Sequence, residues 1–144
     1  MVGTTNIELL KLAKNLSIPN FDCICKDETN HCLTNNIPIN IIVNLNDSDN
    51  NVNGHWCLCF INDNQKVYFS SFGDPIPNQV KDCMMKVDDR KILSSNFQIQ
   101  DFNTDTYRLY CILILFLLNN KIKFEDIIIG FFINEDLWSR KRCE

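Results

Sequence analysis

The sequence lacks any apolar run long enough to cross a membrane. The longest, Leu109 to Leu118, has ten residues, and the next, Ile127 to Ile133, is interrupted by Gly130. A helix that spans a bilayer needs about 20 consecutive apolar residues. The N-terminal region also lacks the apolar core of a secretory signal peptide, because Asn6 to Leu10 is amphipathic and charged. We therefore expect a soluble, intracellular protein with no membrane partner.

The sequence also lacks an excess of positive charge. Its 14 Lys and Arg residues are outnumbered by 18 Asp and Glu residues, so the net charge is −4 and the isoelectric point is about 5.1. No overall positive field is therefore available to attract nucleic acid. The one basic run, Arg140-Lys141-Arg142, is most simply a solvated tail. We expect no nucleic-acid partner.

Internal repeats and long linkers are missing as well, which favours a single domain over residues 1–144. Hydrophobic periodicity and turn residues predict the following elements. The predicted helices cover 5–16, 78–87, 106–119 and 123–132, and the predicted strands cover 37–45, 55–61, 66–71 and 97–100. Because the segment 106–119 is apolar nearly all round, we expect it at the centre of the core. The predicted fold class is α+β, with a small antiparallel or mixed sheet packed on this buried apolar helix.

What the sequence does contain is eight cysteines. Cys23 and Cys25 are two residues apart, as are Cys57 and Cys59. On a strand the two members of such a pair point to the same side, without the geometry of a mutual disulfide. We therefore expect reduced, buried thiols that pack as small apolar residues.

The residue types that bind zinc occur together in one segment, at Cys23, Cys25, His31 and Cys32. The spacing of these residues matches none of the usual paired-knuckle patterns. We expect neither a metal nor a cofactor.

Four short segments occur in an order that points to a thiol protease. They are Gly54-His55-Trp56, Tyr68 to Gly73, Gln100, and Tyr107 to Cys111. Together they resemble the adenovirus-type (adenain-like) cysteine proteases, which belong to the clan that also contains the ubiquitin-like-modifier proteases. The resemblance extends from about residue 18 to residue 118. It implies the adenain-like cysteine protease fold and a viral or mobile-element origin.

The resemblance assigns roles to particular residues. In such enzymes a His takes the proton from a Cys thiol, an acid on the neighbouring strand orients that His, and a Gln amide helps to stabilise the oxyanion. His55 matches the base and is followed by Trp56, as in the family. Gln100 matches the oxyanion glutamine. Ser70 stands where the orienting acid is expected, directly before Ser71-Phe72-Gly73.

The position of the nucleophile is occupied by a different side chain. In the family the nucleophilic Cys opens a helix, whose dipole helps to hold the thiolate. The matching position, seven residues after Gln100, is Tyr107, and Arg108 follows where the family has glycine. Cys111 matches a second, non-nucleophilic cysteine that the family often carries one helical turn later.

These substitutions predict a loss of catalysis. A tyrosine phenol is bulky and has a pKa of about 10, so it cannot replace a thiolate in acyl transfer. The cation of Arg108 would lie where glycine leaves room for the oxyanion. Ser70 can hydrogen-bond an imidazole but cannot stabilise an imidazolium as a carboxylate does. The sequence therefore predicts a degenerate protease without activity.

Two alternatives would preserve activity. Cys111 could be the nucleophile with His55 as its base, although it would lie about one turn (~5–6 Å) deeper than Tyr107, among core residues. Asp74 could replace the missing acid, although it stands past the strand end, before Pro75, where turn formation explains it better.

The leading functional prediction is a catalytically inactive, protease-like protein that acts as a binding, structural or regulatory module. The expected partner is a protein or peptide, such as an active homologue or a virion protein. The alternative is an active cysteine protease or deconjugating enzyme that uses Cys111 with His55. The virion, the host cytoplasm and the nucleus all remain open as locations.

Overall fold

The computed structural model describes residues 6–29, 36–44, 56–70, 73–95 and 104–143, with only the backbone of residues 6, 104–107 and 134–143. The strands are β1 (Phe21–Cys25), β2 (Ile39–Asn44), β3 (Trp56–Ile61) and β4 (Lys66–Ser70). The helices are α1 (Asn6–Asn15), α2 (Asn78–Val87), α3 (Thr104–Asn119) and α4 (Phe124–Cys143).

The four strands form one mixed sheet in the order β1-β2-β3-β4. β1 runs parallel to β2, whereas β2, β3 and β4 are antiparallel to their neighbours. The chain between β3 and β4 turns over four residues, where Asn62 accepts hydrogen bonds from the backbone N–H groups of Asn64 and Gln65 at 2.9 and 2.7 Å. This short turn fixes the register of the β3–β4 hairpin.

Helices cover both faces of the sheet. Alternate residues of β3 point to opposite faces, and all six are buried. Trp56, Leu58 and Phe60 pack with α1, α3 and the start of α4. Cys57 and Cys59 pack with α2 on the other face. The described chain is therefore an α+β structure of three layers, which explains why β3 is a continuous apolar run.

Helix α3 lies against the sheet but is not enclosed on all sides. Its buried side chains are those of Cys111, Ile112, Ile114, Leu115 and Leu118. Leu109 and Leu113, on the opposite side, are each 42% exposed. The predicted central position of this helix is correct for one side only, because α3 belongs to an outer layer.

The predicted element bounds agree well with the structure at the centre of the chain. The segment 78–87 is a helix as predicted, and each of β2, β3 and β4 lies within a predicted strand. The last helix was predicted to end at Phe132 but continues to Cys143. Strand β1 (Phe21–Cys25) is not among the predicted strands. The predicted strand over 97–100 lies outside the described residues.

Among the described residues, no helix combines the length and apolar character that a membrane crossing requires.

Candidate functional site

Strand β3 starts and strand β4 ends at the same end of the sheet, and α3 starts close to that end. β3 begins at Trp56, and β4 ends at Ser70, which is the Cα partner of Cys57. α3 begins at Thr104. The guanidinium carbon of Arg108 lies 4.9 Å from the centroid of the Trp56 ring. The fold therefore brings together three of the chain segments that carry the predicted site.

Several predicted site residues are not in the described part of the chain. His55 and Gln100 lie outside it. Tyr107 lies in the first turn of α3, where only the backbone is described. Their side-chain positions remain predictions, and Ser70, Arg108 and Cys111 carry the structural observations that follow.

Ser70 is buried at the end of β4, with 1% of its surface exposed. Its cross-strand partner Cys57 and its near neighbour Tyr68 both belong to the core under α2. Because side chains alternate along a strand, Ser70 lies on the same face as Tyr68. Arg108 lies on the opposite face, against Trp56. Ser70 therefore lies across the sheet from α3.

The contact between Arg108 and Trp56 joins α3 to the start of β3. A guanidinium at this distance from an indole ring is within the range of a cation–π interaction, which contributes about 0.5–2 kcal/mol. Trp56 is 7% exposed and packs with the core residues of α3. The Arg108 side chain therefore covers the Trp56 ring on the α3 side of the sheet.

Cys111 lies one turn further along α3 and is completely buried. Burial raises the pKa of its thiol well above the ordinary value, and the nearby thiols of Cys57 and Cys23 act in the same direction. A nucleophilic cysteine needs the opposite, a lowered pKa and access to substrate. The environment of Cys111 is that of a core thiol.

The Cys23 thiol in β1 lies close enough to Arg108 for the charge of Arg108 to affect its pKa. Burial, followed by the carboxylate of Asp22, raises the pKa of Cys23 to about 12, and the cation of Arg108 opposes this shift. The attraction to Arg108 is thus too weak to activate this thiol. Sequence reasoning did not place Cys23 near the site, since nothing local predicts that β1 lies beside α3.

A second group that the sequence analysis missed lies under α2. Tyr68 is the cross-strand partner of Cys59. Burial, together with the adjacent thiols of Cys57 and Cys59, raises the pKa of the Tyr68 hydroxyl. A hydrogen bond with Cys57 and burial raise the pKa of Cys59. The register of the predicted hairpin was the signal that could have found this group. The raised pKa values keep Tyr68 and Cys59 protonated at neutral pH, which suits packing rather than reaction.

The structure also bears on metal binding near the end of β1. The ligand atoms of Cys25, Asp27 and Glu28 lie within 4.8 Å of one another. The Glu28 carboxylate already accepts a hydrogen bond from the backbone N–H of Cys25 at 2.9 Å. Both acids are exposed, and exposed acids commonly cluster at such a turn without an ion. His31 and Cys32, which the zinc site considered in the sequence analysis requires, lie outside the described residues.

No protein-family model matches the sequence, and no curated protein matches it.

Proposed function

We propose that this protein is a catalytically inactive, protease-like module that acts by binding another protein or peptide. The observation that supports this most is the stacking of Arg108 on Trp56 at the start of α3, 4.9 Å from guanidinium carbon to ring centroid. The resemblance to adenain-like proteases places a glycine there. In such an enzyme, a long cation at this position would fill the space in which the oxyanion forms, so its presence supports the loss of catalysis.

The burial of Cys111 supports the same proposal. The alternative enzyme needs this thiol to reach a substrate, yet the side chain is fully enclosed and its pKa is raised. A thiolate at this depth would also lie beyond the first turn of α3, where the helix dipole is strongest. The proposed module would therefore have no reactive sulfur on α3.

Reaction with a cysteine-directed probe tests the loss of activity. The native protein, incubated with a peptide vinyl sulfone and digested for mass spectrometry, should show no adduct on Cys111. The double variant Tyr107→Cys with Arg108→Gly introduces the two residues that the resemblance assigns to the nucleophile position and to the position after it. We expect this variant to form an adduct at position 107, and His55→Ala in the same background should slow the reaction about a hundredfold or more.

The control is Cys111→Ser in both backgrounds, which should change neither result. Labelling of Cys111 in the native protein, abolished by His55→Ala, would show an active enzyme and refute the proposal. Failure of the double variant to react while it remains folded by circular dichroism would instead argue against the adenain-like assignment.

A further inference from the structure

Helix α2 carries two consecutive methionines in different environments. Met84 is fully buried in the core between α2 and the sheet, whereas Met85 is 38% exposed. Successive residues of a helix point about 100° apart, so one methionine faces the sheet and the next lies at the border with solvent. A water-soluble oxidant therefore reaches the sulfur of Met85 far more readily than the sulfur of Met84.

The sulfur of Met85 lies beside a buried cation. Nζ of Lys66 in β4 donates to Sδ of Met85 at 3.5 Å, and Lys66 is only 2% exposed. The same ammonium donates to the carbonyl oxygens of Asp88 and Arg90 and to the carboxylate of Asp88. An ammonium has three N–H donors, and a thioether is a weak acceptor. Four acceptors therefore share three donors, and the sulfur is the weakest of the four.

Oxidation replaces this weak acceptor by a strong one. In the reaction with hydrogen peroxide, the sulfur lone pair attacks one peroxide oxygen, an S–O bond forms and the O–O bond breaks. The departing hydroxide takes the proton of the transferred oxygen and leaves as water. The sulfur is thereby oxidised by two electrons, and the peroxide is reduced by two. The product is methionine sulfoxide, a polar group with an oxygen acceptor.

The position of Lys66 favours this product in the folded chain. A hydrogen bond from a charged donor is about twice as strong as one between neutral groups. The Met85 side chain is unbranched and has three rotatable bonds, so the new oxygen can turn towards Nζ. The side chain also lies at the surface, so the polar oxygen does not have to enter the apolar core. The unfolded chain holds no ammonium at this place, and the contact therefore stabilises the oxidised protein in its folded form.

We propose that Met85 is a site of oxidation by hydroperoxides, at which Lys66 binds the sulfoxide oxygen and so tightens the contact between α2 and β4. This site is independent of the protease-like site. Lys66 alternates along β4 with the residues that face α3, so it lies on the same side of the sheet as Tyr68, under α2.

The rate of oxidation at each methionine tests the first half of the proposal. The full chain is treated with dilute hydrogen peroxide, then with a thiol reductant that reverses disulfides and sulfenic acids, and is digested for mass spectrometry. In the folded protein we expect Met85 to gain one oxygen atom about tenfold faster than Met84, or more. In the chain unfolded by urea the two rates should be equal, because the residues are neighbours in sequence.

Urea unfolding before and after oxidation tests the role of Lys66. Oxidation should raise the urea midpoint of the native protein by about 0.3 M. In Lys66→Leu, which removes the donor, oxidation should lower the midpoint instead, because the sulfoxide then lies beside an apolar side chain. The matched control is Met85→Leu, whose midpoint should not change on treatment with peroxide.

A direct measurement keeps the test independent of whether Lys66→Leu folds. The NMR signal of the Cε methylene of Lys66, next to the ammonium, should shift when Met85 is oxidised. The corresponding signal of Lys81, an exposed lysine of the same helix, should not shift.

Three results would overturn the proposal. The first is equal oxidation of Met84 and Met85 in the folded protein. The second is a urea midpoint that falls when the native protein is oxidised. The third is a Lys66 signal that is the same before and after oxidation of Met85.

Discussion

The guanidinium of Arg108 and the ring of Trp56 form the contact on which the proposed loss of activity depends. Both residues were singled out in the sequence, Arg108 because it stands where the family has glycine and Trp56 because it follows His55 as in the family. Their contact was not predicted, because nothing local in a sequence fixes the distance between a helix and a strand some fifty residues apart. The sequence therefore showed which side chains occupy these two positions, but it did not predict how they are placed relative to each other.

Removal of the Arg108 side chain should expose Trp56. In a Trp138→Phe background, which leaves Trp56 as the one fluorescent tryptophan, we expect Arg108→Ala to increase acrylamide quenching of the emission. The loss of the cation–π contact should lower the free energy of unfolding by about 1 kcal/mol. Arg108→Lys keeps the cation but not the planar group and should give an intermediate result. Unchanged quenching in Arg108→Ala would show that this side chain does not cover the indole.

Strand β4 and the end of α2 are joined by a charged cluster. The Lys66 side chain is buried, and its Nζ donates hydrogen bonds to the carbonyl oxygen of Asp88 at 2.8 Å, to Oδ1 of Asp88 at 3.2 Å and to the carbonyl oxygen of Arg90 at 3.2 Å. Arg90 donates to Oδ2 of Asp88 at 2.7 Å and to the carbonyl oxygen of Asn62 at 2.6 Å. The cluster thus ties α2 to the β3–β4 turn.

This cluster predicts an acid-sensitive stability. Hydrogen bonds from Arg90, followed by those from Lys66, lower the pKa of Asp88 to about 2 from its ordinary 3.8. Because the folded-state pKa is lowered, the stabilisation is fully present above pH 4 and is lost as the pH falls towards 2. Since Asp88 is partly exposed, we expect a loss of at most about 2 kcal/mol.

Urea unfolding at pH 7, 4, 3 and 2 measures this effect. The native protein should lose stability between pH 4 and pH 2, and Asp88→Asn should show a smaller pH dependence together with a lower stability at pH 7. The matched control is Asp82→Asn on the exposed side of α2, which should follow the native curve. Equal pH dependence in all three proteins would mean that Asp88 does not contribute.

The elements themselves differ in how well the sequence predicted them. α2 and the β3–β4 hairpin were predicted closely, because their periodicity and their turn residues are local signals. β1 was missed, since its five residues pair in parallel with β2 and depend on a neighbour distant in sequence. The C-terminal half of α4 was not predicted, because its polar and basic residues are typical of a solvated tail. No feature of the sequence indicated that the Lys66 side chain would be buried.

At the level of the whole molecule, the three layers place thiols in two separate cores. Cys111 packs in the core between the sheet and α3. Cys57 and Cys59 pack between the sheet and α2. β3 contributes to both cores, since alternate residues of the same strand enter each one. One strand therefore couples the two layers, and we expect them to unfold together.

Pulsed alkylation in increasing urea tests that coupling with the protein's own cysteines. Mass spectrometry after each pulse reports the labelled fraction of every thiol. Cys57, Cys59 and Cys111 are fully buried, so they should become labelled with one common urea midpoint, which also matches the midpoint from circular dichroism. Cys25, which is half-buried at the edge of the sheet, should react before that transition. If Cys59 reacted at a lower urea concentration than Cys111, the α2 layer would open without the α3 layer, and the sharing of β3 would not be enough to make the fold a single cooperative unit.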